Sequence, residues 1–292
     1  MISKYKKFYN IKFSKNSRNL GLGVNILKSV SLASGEYVWI IGNDDLLLEN
    51  TLFKLNELFE LHKDVDFFYI NSFHMDSTLL HKYKFPFDTN NIKKLNLKKF
   101  SKSRTSKKLN FFELINPSLS FDFLLGMFLC IFKKKNWDQN LFIIDEKKIS
   151  DLNVYSTFDN TWPHIKIWAR AFKNKKAFFK AKPLSINLSG ERGKDWGYLY
   201  PFVEAVRIPE VVDCFRNNGM SLPRYIYCKN FAVRKLLFNL IKILIFPSYK
   251  GIEYIELRKH IINNLIYPSI YIAPIFYIIR KIFKETKILI KR

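Results

Sequence analysis

The stretch from Asn19 to Asn50 constrains the fold more tightly than any other part of the chain. It opens on a glycine-bearing turn, Gly21 and Gly23, leading into a short amphipathic helix over about Asn25 to Ala33. Ser34 and Gly35 end that helix, because glycine just past a last apolar position accepts the backbone of a helix terminus. Tyr37-Val-Trp-Ile-Ile41 follows, a short β-branched and aromatic run that predicts a buried strand. Asp44 and Asp45 stand just past its carboxyl end, and ligands of open α/β sheets bind in the crevice outside such ends. Adjacent carboxylates there suit a hard divalent cation that bridges to phosphates. Asn43-Asp44-Asp45 also reads as a plain turn whose aspartate caps the next helix, and spacing leaves both readings open.

On either side the pattern stays α/β. Lys7 to Phe13 reads as a short strand. Thr51 to His62 reads as a helix with Leu52, Leu55, Leu58, Phe59 and Leu61 on its apolar face. Asp66 to Asn71, Gly126 to Phe132 and Lys182 to Leu188 are apolar runs of strand length, and Ser72 to Leu80 is a paired strand or a loop. Asp159 to Phe172 is a helix, with Asp159 or Asn160 as its cap and Pro163 in its first turn. His164 within it has no second histidine nearby and is structural or substrate-contacting. Ser189 to Trp196 is a polar, glycine-bearing loop, either an ordinary surface loop anchored by Trp196 or one that closes over a ligand. Beyond Trp196 the chain reads as helical.

Charge narrows the partners. Lys and Arg number 49 against 25 Asp and Glu, a net charge of +24. Such an excess attracts nucleic acid, acidic lipid or phosphorylated substrates. Part of it belongs to a general bias toward Ile, Lys and Asn. The run Lys93 to Lys108 is a solvated, mobile insertion or a contact for phosphate or lipid head groups. The apolar runs Leu236 to Phe246 and Ile261 to Phe283 fall short of the about 20 apolar residues of a membrane span. Arg258 to Arg292 carries eight Lys/Arg and one acid, Glu285. That combination fits an interfacial helix on anionic lipid, or helices packed on the rest of the protein. There is no helix-turn-helix, zinc or RNA-binding motif, so no nucleic-acid partner is expected. Three distant cysteines argue against a disulfide framework or zinc site and fit a reducing interior. Met1 to Asn10 lacks the apolar core of a secretory signal.

Taken in order, Asn19-Leu20-Gly21, Asn25, Ala33-Ser34-Gly35-Glu36-Tyr37 and Asp44-Asp45 resemble the family-2 glycosyltransferases of the GT-A fold. That family reads N-x-G, N, A-x-G-E-Y and D-x-D-D along one βαβ unit. The bacterial O-antigen, abequosyltransferase-like branch is the nearest in pattern, and weaker likeness extends to about Asn230. The resemblance implies an α/β, GT-A-like mixed sheet flanked by helices over residues 1–197, with a helical, basic region over 198–292. The family's first two strands have no counterpart. A truncated or wrongly started frame, or a partner supplying that half, is therefore expected.

The implied activity is inverting transfer of a sugar from a nucleotide diphosphate sugar to a hydroxyl of a glycan or lipid-linked glycan. The implied setting is synthesis of O-antigen, capsule or lipooligosaccharide on the cytoplasmic face of the membrane, in peripheral contact with anionic lipid. By the same resemblance Asp44 holds Mg2+ or Mn2+. Asn19, Gly21, Asn25, Asn43 and Asp45 lie at the donor site, and Asp159 is the general base. In the loop, Arg192 and Lys194 would meet the diphosphate and Trp196 would stack on a sugar. The family's first metal-binding acid falls on Gly42. That departure, with the missing strands, makes a folded but inactive remnant the alternative.

Overall fold

The computed structural model describes residues 10–94, 97–120, 122–190 and 196–276. Among these residues a seven-stranded mixed sheet forms the centre. Its strands are β1 (Tyr37–Trp39), β2 (Asp45–Leu47), β3 (Phe67–Asp76), β4 (Lys98–Lys99), β5 (Lys107–Asn110), β6 (Cys130–Lys133) and β7 (Lys176–Ser189). The main path runs β1-β6-β3-β7-β2, with β4 on β3 and β5 on β7. Only β3 and β7 are parallel to each other. Phe67 to Ile70 is buried on both faces, as an inner strand requires. Phe67 and Tyr69 join α1 (Gly21–Leu32) and α4 (Pro163–Ala171) in the main core, with Trp137 and Trp168. Phe68 and Ile70 face α2 (Thr51–Leu61) through Leu55 and Leu58.

The pairing of β3 with β7 is interrupted once. Ile70 pairs with Lys180, but Ser72 pairs with Ser185. Asn71 thus stands opposite residues 181–184, whose backbone leaves the ladder. Buried backbone groups must find partners elsewhere. Asn71, itself fully buried, donates its amide to the carbonyls of Ala181 and Ser101, both at 2.9 Å. Its oxygen accepts the N–H of Ser101 at 2.9 Å and of Ser72 at 3.0 Å. Ala181 N–H donates to Ser106 Oγ, and the Leu184 carbonyl accepts from Thr51 Oγ1 and Leu48 N–H. The bulge is closed by side chains from three other segments.

After Trp196 the chain is helical. α5 (Ile208–Asn217) and α6 (Leu222–Ala232) send Val211, Val212, Phe215 and Cys228 into the main core. α7 (Leu236–Ile245) builds a smaller core with Phe202, Val206, Tyr267 and Ile270. Between them lies a buried ionic cluster. Glu210 pairs with Arg207, with Lys259 at 2.7 Å and with His260 at 3.0 Å. Arg207 also donates to the carbonyls of Tyr155 (3.0 Å) and Ser156 (2.7 Å). No helix among the described residues is long and apolar enough to cross a membrane.

Several sequence expectations are corrected. α1 starts at Gly21, so both glycines lie inside the helix; Asn19 Oδ1 accepts the Gly21 N–H at 2.9 Å and starts it there. Of the expected strand at Lys7–Phe13, residues 10–13 carry no strand and 7–9 lie outside the described residues. β1 stops at Trp39 and ends the sheet path, half-buried rather than buried. Leu52 and Leu61 are 68% and 77% exposed, because α2 turns Thr51, Leu55 and Leu58 to the sheet. The basic run is tied into the sheet by β4 and β5 rather than standing off it. A second helix, α3 (Phe158–Thr161), precedes α4. Its cap is Thr157, not Asp159 or Asn160, and Asn160 closes a capping box.

Two outcomes follow from these interactions. Asn71→Ala strands buried backbone groups at the bulge, each costing about 1–3 kcal/mol. Urea unfolding is expected to show a loss of at least about 3 kcal/mol, as more than one group is stranded. For Glu210, burial raises the carboxyl, but His260, Arg207 and Lys259 together outweigh it and hold the group at about 2, below its ordinary 4.5. A depressed folded value means stability that is present above about 4.5 and lost as pH falls toward 2. Glu210→Gln is expected to cost about 3–5 kcal/mol at neutral pH. Melting curves against pH should show that gap from wild type closing below pH 4.5.

Candidate active site

β3 and β7 end side by side, Asp76 opposite Ser189. β2 enters antiparallel to β7 with Asp45 opposite Asn187, which sets the Asn43-Asp44 turn beside the same strand ends. Together they bound a cavity of about 420 Å³ lined by Asn43, Asp44, Ser77, Ser189 and Gly190. Leu46, Leu80, Phe87 and Leu188 supply its apolar wall.

The two adjacent acids do different work. Asp45 Oδ2 accepts the Gly42 N–H at 2.6 Å, and Asp45 Oδ1 accepts the Asn187 side-chain amide at 2.8 Å. Both its oxygens brace the turn. The Asp44 carboxylate folds back over Gly42, where a Cβ would collide with Asp44 Oδ1 and lie 3.2 Å from Asp45 Oδ2. Any side chain at position 42 would therefore compete with Asp44 for the same space. Ser77 Oγ, also on the cavity wall, is buried with no hydrogen-bond partner among the described residues. His74 Nε2 and Ser189 Oγ lie 2.9 Å apart. Asp76 Oδ1 accepts from Thr78 Oγ1 and N–H, and these bonds hold its carboxyl below the usual range.

Mg2+ binds proteins through one or two carboxylates completed by substrate phosphates and water. No group of three His, Cys, Asp or Glu residues among those described is arranged to hold a metal, and Asp45 is committed to the turn. A cation in this cavity could draw on one protein carboxylate, Asp44, and would need a bound diphosphate to complete its shell.

The other sequence candidates gather elsewhere. Asn25 is exposed and accepts from Asn16 at 2.6 Å; Asn19 is spent on Gly21. Neither they nor Gly21 line the cavity. α1 instead packs on α3 at Gly23, where a Cβ would sit 2.7 Å from Ile149 Cγ1 and 3.3 Å from the Asp159 carbonyl. Only a glycine allows that approach. Asp159 is 4% exposed, with Lys166 Nζ 2.8 Å and 3.0 Å from its two oxygens. His164 is fully buried against the edge of Trp168, and burial lowers it to about 3, which keeps it neutral and structural. Trp196 stacks on Tyr200 at 4.6 Å between centroids. Arg192 and Lys194 lie outside the described residues. Sequence reasoning missed Ser77, Asn187 and Ser189, because only the strand register assembles them.

The model of glycosyl transferase family 2 matches residues 1–117. An uncharacterized glycosyltransferase of Methanocaldococcus jannaschii is 29% identical over 207 residues, 61% of this chain and 69% of its own. Abequosyltransferase RfbV of Salmonella typhimurium is 42% identical over 67 residues, 22% of this chain and 20% of its own. Among solved structures, TarS 1–349 of S. aureus in complex with UDP-GlcNAc superimposes with a TM-score of 0.50 at 15% identity. That match covers 90% of this chain and 66% of TarS. The chain thus spans less than two thirds of TarS and a fifth of the abequosyltransferase. The likeness to TarS shows the fold: a GT-A-like mixed sheet flanked by helices, with a helical carboxyl-terminal region. The family match and the two relatives are likenesses to glycosyltransferases over part of the chain.

Gly23→Ala tests the contact that seats Asp159. Overpacking of this kind costs about 1–3 kcal/mol. Thermal unfolding is expected to show that loss, whereas Gly197→Ala, where a Cβ meets nothing within 4 Å, leaves the melting temperature near wild type.

Proposed function

We propose that this chain transfers a sugar from a nucleotide diphosphate sugar to a hydroxyl of a glycan or lipid-linked glycan acceptor, with inversion at the anomeric carbon. The observation that carries the reading is Asp44 in a cavity outside the paired ends of β3 and β7. The UDP-GlcNAc bound to TarS favours a nucleotide-sugar donor. The abequosyltransferase relative favours work on a cell-surface polysaccharide of the O-antigen, capsule or lipooligosaccharide kind. A lipid-linked acceptor places the protein on the inner face of the membrane, in peripheral contact with anionic lipid.

Asp44 would hold Mg2+ or Mn2+ together with the donor's phosphates, supplying a Lewis acid for the leaving diphosphate. Asp45 keeps the turn in shape, and Asn43 faces the same cavity. Ser77 and Ser189 offer hydroxyls to the sugar. Asn19, Gly21 and Asn25, which do not line the Asp44 cavity, keep only the donor-side assignment that the family pattern gives them. Arg192 and Trp196 are assigned to the donor side from the loop. The acceptor hydroxyl must pass its proton to a base within hydrogen-bond reach. Asp159 is assigned that role, with Lys166 orienting its carboxylate. The division into a catalytic unit over 1–197 and a basic helical unit over 198–292 belongs to the same reading. One observation favours a second reading, a folded but inactive glycosyltransferase: Gly42 removes one acid and the turn consumes Asp45.

Donor hydrolysis and transfer, assayed over a panel of nucleotide sugars that includes UDP-GlcNAc, separate these readings. Asp44→Ala is expected to abolish divalent-dependent turnover and leave unfolding nearly unchanged. Asp159→Asn is expected to lower turnover by about 10²–10⁴-fold with donor affinity preserved. Unchanged turnover in Asp44→Ala overturns the metal assignment. A lower melting temperature with normal turnover in Asp159→Asn makes the Lys166 pair purely structural. Donor binding without turnover in the wild-type chain supports the inactive reading.

A further inference from the structure

α7 is apolar on two sides. Leu236 and Ile243 enter the smaller core. On the outer side Ile241, Leu244 and Ile245 are exposed, Leu244 by 71% and Ile245 by 63%. A helix resting on a core in water keeps its outer face polar, and a contiguous exposed apolar patch marks an interaction site. The outward set continues through Phe246 and, across a groove, through Ile272, Ile275 and Phe276.

The groove between α7 and residues 268–276 encloses about 870 Å³. Phe231 and Phe238 line it, together with Arg234, Lys235 and Lys242. The Arg234 guanidinium stands 3.4 Å from the Phe231 ring centre, and the Lys242 ammonium 4.4 Å from that of Phe238. Glu204, the acid in this lining, pairs with Lys235 and accepts from Asn239 at 3.1 Å. The lining therefore carries more positive than negative charge, set between aromatic rings and an apolar rim.

We infer that this face docks on anionic bilayer lipid, with Ile241, Leu244, Ile245 and Phe246 entering the boundary between head groups and acyl chains. Arg234 and Lys242 meet the lipid phosphates. The inference rests on the peripheral membrane contact proposed above and moves it from the basic tail onto α7. Charge selects the occupant. Residues 277–292 carry six Lys/Arg and one acid, the same sign as the groove. A second copy of the chain would set the same cations against one another. A phosphate-bearing surface has the opposite sign, and basic residues beside an apolar helical face suit interfacial binding.

Sedimentation of the full chain with vesicles tests the inference. The chain is expected to bind vesicles of phosphatidylglycerol and phosphatidylcholine in equal parts, and to leave pure phosphatidylcholine largely unbound. Leu244→Glu with Ile245→Glu, both at exposed positions, should keep the wild-type melting temperature and weaken binding by at least about tenfold. Arg234→Gln with Lys242→Gln should weaken it by about fivefold per charge and flatten its salt dependence. Undiminished binding by these variants overturns the inference, as does loss of binding confined to Lys284→Gln, Lys287→Gln and Lys291→Gln in the tail. A change in oligomeric state in the Leu244→Glu, Ile245→Glu variant without vesicles assigns the face to a second copy and overturns it too. A wild-type chain that binds neither vesicle overturns the membrane contact itself.

Discussion

The side-chain amide of Asn71 holds together what the sheet ladder leaves apart. Residues 181–184 of β7 have no strand partners, and a buried amide or carbonyl without one costs as much as a lost hydrogen bond. Asn71 bonds Ala181 and residue 101 at once, so the basic run and the two long strands form one unit. Thr51 ties the same bulge to the start of α2. Past the bulge β3 and β7 pair again in a shifted register, Ser72 with Ser185, and carry His74, Asp76, Asn187 and Ser189 to a common end. The cavity exists where it does because that register is pinned, and bulges near such sites are how a strand re-aims its side chains.

Two glycines decide how the acids are presented, for opposite reasons. Gly23 is a matter of closeness: it lets α1 lie against α3, and Asp159 is then buried beside Lys166. Gly42 is a matter of room: it leaves the space that the Asp44 carboxylate fills, while Asp45 closes the turn through its own backbone and Asn187. An adjacent acid pair is thus split into one residue that shapes the loop and one that lines the cavity. That division agrees with a cation whose coordination depends on substrate phosphate rather than on a ready-made protein cage.

The carboxyl-terminal region acts on this arrangement from behind. Arg207 holds the carbonyls of Tyr155 and Ser156, a few residues before Asp159, and is itself fixed by Glu210, which Lys259 and His260 also grip. Removing one partner of such a buried pair leaves an uncompensated charge, so the groups hold one another in place. The same region turns Ile241, Leu244 and Ile245 outward on α7. One side of it secures the approach to Asp159 and the other offers an apolar, cationic face.

What the sequence determined by itself was local. The helix at Thr51, the strand expected from Asp66, the helix–glycine–strand–acid order and the family likeness all rest on spacings within about a dozen residues, where periodicity and capping operate. Of the strand expected over Gly126 to Phe132, only Cys130 onward is strand, and Met127–Leu129 is a 3-10 turn. α1 extends further than the sequence suggests, because a glycine pair reads as a turn unless the neighbouring Asn19 bond is known. Leu52 and Leu61 point outward because a leucine-rich helix has more apolar positions than the sheet face can cover. Tertiary structure alone decided that Asp44 and Asp45 part ways, that Asn71 is a hub rather than a strand end, and that Lys166 belongs to Asp159. The bond from Asn187 to Asp45 spans 142 positions and that from Asn71 to Ala181 spans 110. Contacts at such separations follow from strand register, and register is set by the burial of a whole sheet face, which no single stretch of sequence contains.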